Sequence, residues 1–198
     1  MKRHIVILAA GNASRYGEAK QLAQVNGVSM VNKMVDVAEG VENSSVNLVL
    51  GAYKQVIRNQ LVSSPHLIIN DKWRHGLAFS IVESVKELKD DASHLMFVLA
   101  DQIALNSQSL AALWQLSEAN PDSIVCAQYR NIEGPPVIFP MAFYNELTQL
   151  KGDAGAKSLL IKYRENIRSI DLPAASVDID TKHDLEAWNR HQDQSGVN

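Results

Sequence analysis

"HIVILAAGNASRYGEAKQL", residues 4–22, passes without a break from an apolar run into a loop of small and polar residues carrying two glycines, one arginine and one lysine. Ile5 to Leu8 shows no polar alternation. A strand of that composition is buried on both faces, as in a largely parallel sheet covered by helices. Ligands of such sheets gather at the C-terminal ends of the strands, where this loop emerges.

The same alternation extends along the chain. β-rich runs "VNLVLG", "HLIIN", "HLMFVLA", "SIVCAQY" and "IRSIDL" are separated by segments of helical period such as "SMVNKMVDVAEGV", "AYKQVIRNQLV", "LAFSIVESVKELK" and "SLAALWQLSEA". "NIEGPPVIF" reads as a turn ahead of the helical "MAFYNELTQL", and "AKSLLIKY" as a further helix. The closing "TKHDLEAWNRH" starts at Thr181, a good N-cap. The fold class is therefore α/β, a Rossmann-like three-layer sandwich with a mostly parallel central sheet and right-handed crossovers. Neither a linker nor a repeat is visible, so residues 1–192 read as one domain and the polar tail 193–198 is expected to fray.

The 198 residues carry a net charge of only −3, which gives no global field for nucleic acid, so an anion site has to be built locally. No apolar run reaches the ~18 residues that span a bilayer, and the basic Met1-Lys2-Arg3 leads into no cleavable signal. A soluble, cytoplasmic protein without nucleic-acid or membrane partners is expected. Its single cysteine, Cys126, sits in the apolar "SIVCAQ" and reads as a core thiol rather than a nucleophile. The six histidines show no metal-ligand spacing, so zinc is not indicated.

Two well-known phosphate loops do not fit the opening stretch. The dinucleotide fingerprint needs G-x-G-x-x-G and an acidic end to the second strand, but Asn12-Ala13 follow Gly11 and the second strand ends "LVLGAYKQ". A P-loop needs four residues between its glycines and then Lys, whereas Gly11 and Gly17 have five residues between them and Glu18 follows. A flexible connection without a ligand is the remaining plain reading of the loop alone. The full pattern "LAAGNASRYGEAKQL", however, resembles the L-A-A-G-x-S-x-R-[MF]-G-x-x-K-x-L loop of the MobA-like nucleotidyltransferases, closest to their molybdenum cofactor cytidylyltransferase branch. "NDKWRHGLAFS", "LADQ", "GPPVIFP", "GDAGAK" and "DIDTKHDL" match further family motifs in the family's order. The chain departs from them at Ala13 for Ser, Tyr16 for Met or Phe, and Ile103 and Lys182 for proline.

The resemblance implies the nucleotide-diphospho-sugar transferase type of fold and transfer of an NMP unit from an NTP to a phosphate-bearing acceptor, with release of pyrophosphate. A phosphate monoester has a second pKa near ~6, so the nucleophile is already anionic at neutral pH and no general base is needed. The protein must hold two polyanions in line and stabilise charge moving onto pyrophosphate, a task suited to Mg2+. By resemblance Leu8, Ala9, Ala10, Gly11, Asn12, Arg15 and Lys20 wrap the triphosphate, with Arg15, Lys20 and Asp101 as the catalytic set. Gly76 and Ser80 lie beside the nucleotide or the acceptor phosphate, while Trp73 either packs or stacks. Gly134, Pro136, Gly152, Asp153, Gly155 and Lys157 border the acceptor.

Asp101, directly after an apolar strand, is either a metal ligand or a turn cap on local grounds, and the resemblance selects the metal. In "DID", Asp178 and Asp180 share one face of an extended segment, so parity leaves both open as the second ligand. The resemblance selects Asp180 and leaves Asp178 to orient Lys157 or another cation. Ala10, where guanylyl relatives carry glycine, favours CTP, although one methyl is worth only ~1–3 kcal/mol and orders the nucleotides without forbidding GTP or ATP. Molybdopterin is the implied acceptor, with transient contact to a molybdoenzyme or its chaperone. Sugar or alcohol phosphates are the alternative acceptors, and a noncatalytic nucleotide-binding or cofactor-assembly protein is the alternative of another class. A glycosyltransferase would normally carry D-x-D where this chain reads "LADQIAL".

Overall fold

β1 (Arg3–Ala9) lies inside a seven-stranded sheet, paired in parallel with β4 (Ser44–Leu50) on one side and β6 (His94–Leu99) on the other. The computed structural model describes residues 2–195. The sheet continues from β4 to the parallel edge strand β5 (His66–Ile69), and from β6 through β8 (Ile132–Pro140) and β7 (Ile124–Tyr129) to β9 (Ile167–Asp171). Only β8 runs antiparallel to its neighbours. The mostly parallel sheet expected from the apolar runs is therefore present.

Alternate residues of β1 feed two separate cores, which is why the run has no polar face. Val6 and Leu8 join Phe97, Phe139 and the apolar stripe of α3 (Leu77–Leu88), where Ala78, Ile81, Val82, Val85 and Leu88 follow helical spacing. Ile5, Ile7 and Ala9 point the other way, onto Met34 and Val35 of α1 (Met30–Glu39) and onto Leu110, Leu113 and Trp114 of α4 (Ser107–Ala119). Shorter helices α2 (Lys54–Arg58), α5 (Tyr144–Leu147) and α6 (Lys157–Lys162) fill the connections. Cys126 is buried, and burial pushes its thiol up to about 12, as expected of an inert core cysteine. Among the described residues no helix is long and apolar enough to cross a membrane.

Two local readings change. "NIEGPPVIF" forms most of β8 rather than a turn. Its prolines are tolerated because the register with β7 slips between Ala127↔Gly134 and Cys126↔Val137, so Pro135 and Pro136 fall in the bulge, where no ladder amide is required. The opening loop ends in a small hairpin, β2 (Gln24–Val25) and β3 (Val28–Ser29), turned by Asn26 and Gly27 at φ 53° and 81°.

The last helix, α7 (Lys182–Ser195), begins with a reciprocal cap. The Asp184 amide donates to Thr181 Oγ1 at 3.2 Å and the Thr181 amide donates to Asp184 Oδ2 at 2.7 Å. Of the tail expected to fray, residues 196–198 lie outside the described residues.

His94, at the start of β6, is buried with Nε2–H donating to the Pro121 carbonyl at 2.9 Å. Burial holds its pKa below the ordinary histidine value, an effect that the Pro121 bond only partly opposes. A depressed histidine takes up its proton more readily in the unfolded chain, so stability should fall as pH drops through about 6.5 and below. Urea unfolding between pH 5 and 7.5 should show His94→Gln losing part of this slope, up to ~1.4 kcal/mol per pH unit.

Candidate active site

The loop after β1 is held from beneath by one buried amide. Gln21 Nε2 donates to the Ala9 carbonyl at 3.0 Å and to the Gly11 carbonyl at 2.8 Å, closing residues 9–21 into a ring. Within the ring the chain turns at Ala13, whose φ of 48° lets its carbonyl accept from the Tyr16 and Gly17 amides at 2.9 and 3.1 Å. Arg15 projects from that turn and Lys20 opens the short 3-10 turn that ends the loop.

Both cations meet carboxylates that arrive from elsewhere in the chain. Lys20 Nζ lies 2.7 Å from Asp101 Oδ2 and 3.1 Å from Asp180 Oδ1, and Arg15 reaches Asp180 Oδ2 at 2.7 Å. Burial lowers the Lys20 pKa, but the Asp101 and Asp180 carboxylates more than offset it, leaving it above the ordinary lysine value. Asp101 and Asp180 are brought together by backbone: the Asp101 carbonyl accepts from the Ile103 amide at 2.9 Å and from the Ile179 amide at 3.4 Å. Gln102 anchors the strand end by donating to the Pro135 and Ala175 carbonyls at 2.8 and 2.9 Å.

Asp178 completes an acidic group of three. Its carboxyl is held above the ordinary aspartate value, first by partial burial and then by the negative charges of Asp101 and Asp180. It makes no ion pair with Lys157 among the described residues; the cation that acts on it is Lys20. Ile179 is buried between the two aspartates of "DID", in keeping with their shared outward face.

The donor set suits a hard divalent cation. Lys20 already places a positive charge between two carboxylates, and Asp101 Oδ1 is buried without a hydrogen-bond partner. Among the described residues no three side chains are arranged to cage a metal by themselves. Two carboxylates with substrate phosphates and water are the usual provision for Mg2+.

A small apolar cluster locks these segments together. Tyr16 of the loop, Ile103 after Asp101 and Ile179 beside Asp180 pack with Val25 and Met30, and Ala13, Leu185 and Trp188 lie against them. Lys182 lies over the Tyr16 ring at 5.8 Å and pairs with Glu18 at 2.8 Å. Ala13, Tyr16, Ile103 and Lys182, the four departures from the motif pattern, thus meet in one place. There they form a set of mutual contacts rather than four independent losses.

The cleft above measures about 570 Å³, within the range of small-molecule sites. Leu8, Ala9, Ala10, Gly11, Asn12, Arg15, Lys20, Gly76, Ser80, Asp101, Asp153 and Asp180 line it, so the nucleotide, metal and catalytic sets expected from sequence converge. The acceptor set does not converge in the same way. Asp153 lines the cleft, whereas Gly134, Pro136, Gly152, Gly155 and Lys157 do not. Gly134 lies under Tyr129, whose hydroxyl oxygen would be 2.6 Å from an added Cβ. Gly152 accepts from the Ala78 amide at 3.0 Å and crowds Gly76, so its loop braces the start of α3. Ser80 is buried in the wall and accepts from Asn70 Nδ2 at 3.0 Å. Trp73, left open between packing and stacking, also lines the wall, together with Gln21, Arg74 and Leu77, for which the sequence suggested no role. A glutamine beside the loop lysine and a cation beside a tryptophan were the only signals available for Gln21 and Arg74.

The MobA-like NTP transferase domain model matches residues 5–167, more than three quarters of the chain and the segments that bear Arg15, Lys20 and Asp101. The chain belongs to the MobA-like NTP transferase family. No curated protein matches this MobA-like chain in sequence. Among solved structures it is similar to Rv0371c from Mycobacterium tuberculosis, with a TM-score of 0.84 and 22% identity over 96% of this chain and 98% of that one. The same mycobacterial protein in complex with manganese superposes with a TM-score of 0.80 at 21% identity, over 96% and 99%. A nucleotidyl transferase from Methanothermobacter thermautotroptrophicus gives a TM-score of 0.79 at 17% identity, over 98% of both chains. At these identities the likeness establishes the shared fold.

Proposed function

We propose that this MobA-like protein transfers CMP from CTP to a phosphate-bearing acceptor, with molybdopterin as the first candidate, in the cytoplasm and with Mg2+ as its metal. The observation that carries the reading is the ion cluster lining the cleft: Lys20 lies between Asp101 and Asp180, and Arg15 is on Asp180. Cations suited to phosphates and carboxylates suited to a metal are held within hydrogen-bond distance of one another. The manganese complex of the mycobacterial neighbour supports the use of a divalent ion within this fold.

In the reaction an acceptor phosphate oxygen bonds to the α-phosphorus of CTP while the bond to the departing pyrophosphate oxygen breaks. Arg15 and Lys20 exchange their carboxylate partners for phosphate oxygens and hold the triphosphate along residues 8–12. Asp101 and Asp180 would hold the metal, which neutralises charge on the phosphates when bound. Asp178 stands behind them as a source of negative charge. Asp153 is the acceptor-side group within the cleft, and Gly152 and Gly155 shape the loop that presents it. Contact with a molybdoenzyme or its chaperone would follow if molybdopterin is the acceptor.

Pyrophosphate release should appear when the protein is incubated with labelled CTP, Mg2+ and purified molybdopterin, and should be weaker with the other three nucleotides. Release only with sugar or alcohol phosphates would move the acceptor assignment, and nucleotide binding without release on any acceptor would favour a noncatalytic role. Arg15→Ala should raise the CTP dissociation constant ten-fold or more, since a charge-assisted phosphate contact is worth ~1.5–3 kcal/mol. Its melting temperature should barely move, because Arg15 is largely exposed and an exposed pair contributes at most ~1 kcal/mol.

A further inference from the structure

Three cations line the cleft, and two of them are held by carboxylates. The third, Arg74, makes no ion pair among the described residues; its guanidinium lies over the Trp73 ring, 4.3 Å from the centroid. The acidic neighbour Asp71 is taken by Lys54 at 2.6 Å. Arg74 therefore reaches the cleft as a braced side chain with its donors uncommitted to any carboxylate.

Its position separates it from the phosphate chemistry. Asp101 follows β6, on one flank of β1, whereas Trp73 and Arg74 follow β5, beyond β4 on the other flank. Trp73 packs beside Ala10 through Gly51: a Cβ on Gly51 would lie 2.8 Å from Trp73 Cβ and 2.9 Å from Ala10 Cβ. On the proposed function, a nucleotide with its triphosphate on Arg15 and Lys20 extends across the loop and brings its base to the Ala10 and Trp73 flank.

We propose that Arg74, braced on Trp73, reads the nucleobase by donating two parallel hydrogen bonds to the adjacent acceptors O2 and N3 of cytosine, and so selects CTP over UTP. A guanidinium presents paired donors in a fixed fork, which an ammonium cannot reproduce. Uracil differs from cytosine on this edge because its N3 carries a hydrogen and opposes one arm of the fork. The assignment rests on the transferase reading and adds to it the residue that chooses the base.

Titration of wild type, Arg74→Ala and Arg74→Lys with CTP, UTP and inorganic tripolyphosphate, each with Mg2+, tests it. Wild type should bind CTP roughly ten-fold or more tighter than UTP, and both variants should bring that ratio close to one, as for loss of a bidentate base contact. Tripolyphosphate affinity should stay within about two-fold in both variants, because no phosphate contact has been removed. Survival of the CTP preference in Arg74→Lys, or equal weakening of CTP and tripolyphosphate in Arg74→Ala, overturns the proposal. Wild type that binds tripolyphosphate but prefers neither nucleotide overturns it while leaving the transferase reading intact. Wild type that binds none of the three overturns both.

Discussion

Asp101→Asn should raise the Mg2+ concentration needed for half-maximal turnover by more than the ~10–100-fold seen when outer-shell partners of a metal are changed. Asp101 holds Lys20 with one oxygen and has its other oxygen buried without a partner, so asparagine keeps the shape and removes the charge. Asp180→Asn should be about as severe. Asp178→Asn should stay within the outer-shell range, because Asp178 acts through its charge on the other two carboxylates. The folded state should tolerate all three changes, since each removes one of three acidic groups that oppose one another. Titrating Mg2+ against pyrophosphate release and recording the melting curves without metal separates the two effects. If Asp178→Asn shows the largest metal requirement, Asp178 and Asp180 exchange roles.

The parts of this protein that could be read from sequence are those fixed by local chemistry. The buried strand Ile5 to Leu8 and the cap at Thr181 follow from short patterns whose physical meaning survives folding. The grouping of Arg15, Lys20, Asp101 and Asp180 is legible only through the family resemblance, because on local grounds Asp101 could equally cap a turn and strand parity leaves Asp178 and Asp180 equivalent. The strand β8 could not be read this way, because two adjacent prolines argue against a strand unless the bulge that shelters them is known. The hairpin around Asn26-Gly27 is a different case: an Asn-Gly pair between Val25 and Val28 is a strong turn signal that the longer helical period beside it obscured. The group around Tyr16, Ile103 and Lys182 depends on contacts between segments far apart in the chain, and nothing in the one-dimensional pattern places them together. Gln21 reaches back only within its own loop, but an amide aimed at two backbone carbonyls leaves no pattern in the sequence. The acceptor set illustrates the limit of transferring motifs: "GDAGAK" brings Asp153 to the cleft, while its glycines serve the docking of α3.

Lys20→Met should reverse its effect on metal binding according to whether nucleotide is present. Without nucleotide the Lys20 ammonium occupies the point between Asp101 and Asp180, so a metal ion binding wild type has to displace it. Methionine keeps most of the apolar stem and removes the charge, which leaves two carboxylates, with Asp178 close by, and no cation between them. Breaking a buried pair in this way costs ~3–5 kcal/mol, and the partial exposure of Asp180 brings the expected loss to about 2–3 kcal/mol. For a chain of this length that lowers the melting temperature by about 4–12 °C. Added Mg2+ should restore much of it, because the ion replaces the missing charge. Wild type should gain less, since its site is already neutralised. With CTP present the order inverts: in wild type Lys20 moves to the triphosphate and the metal enters the vacated place, whereas the variant lacks that phosphate contact and binds the metal nucleotide at least ten-fold more weakly. The Lys20 contribution to stability should be constant from about pH 6 to 9. A raised lysine pKa stabilises the fold fully below ~10.4 and loses its effect only as pH rises through the raised value. Melting curves with and without Mg2+, and calorimetry with Mg2+ alone and with Mg2+ and CTP, test both signs. If Lys20→Met neither destabilises the protein nor gains affinity for Mg2+ alone, the ammonium is not holding the metal position.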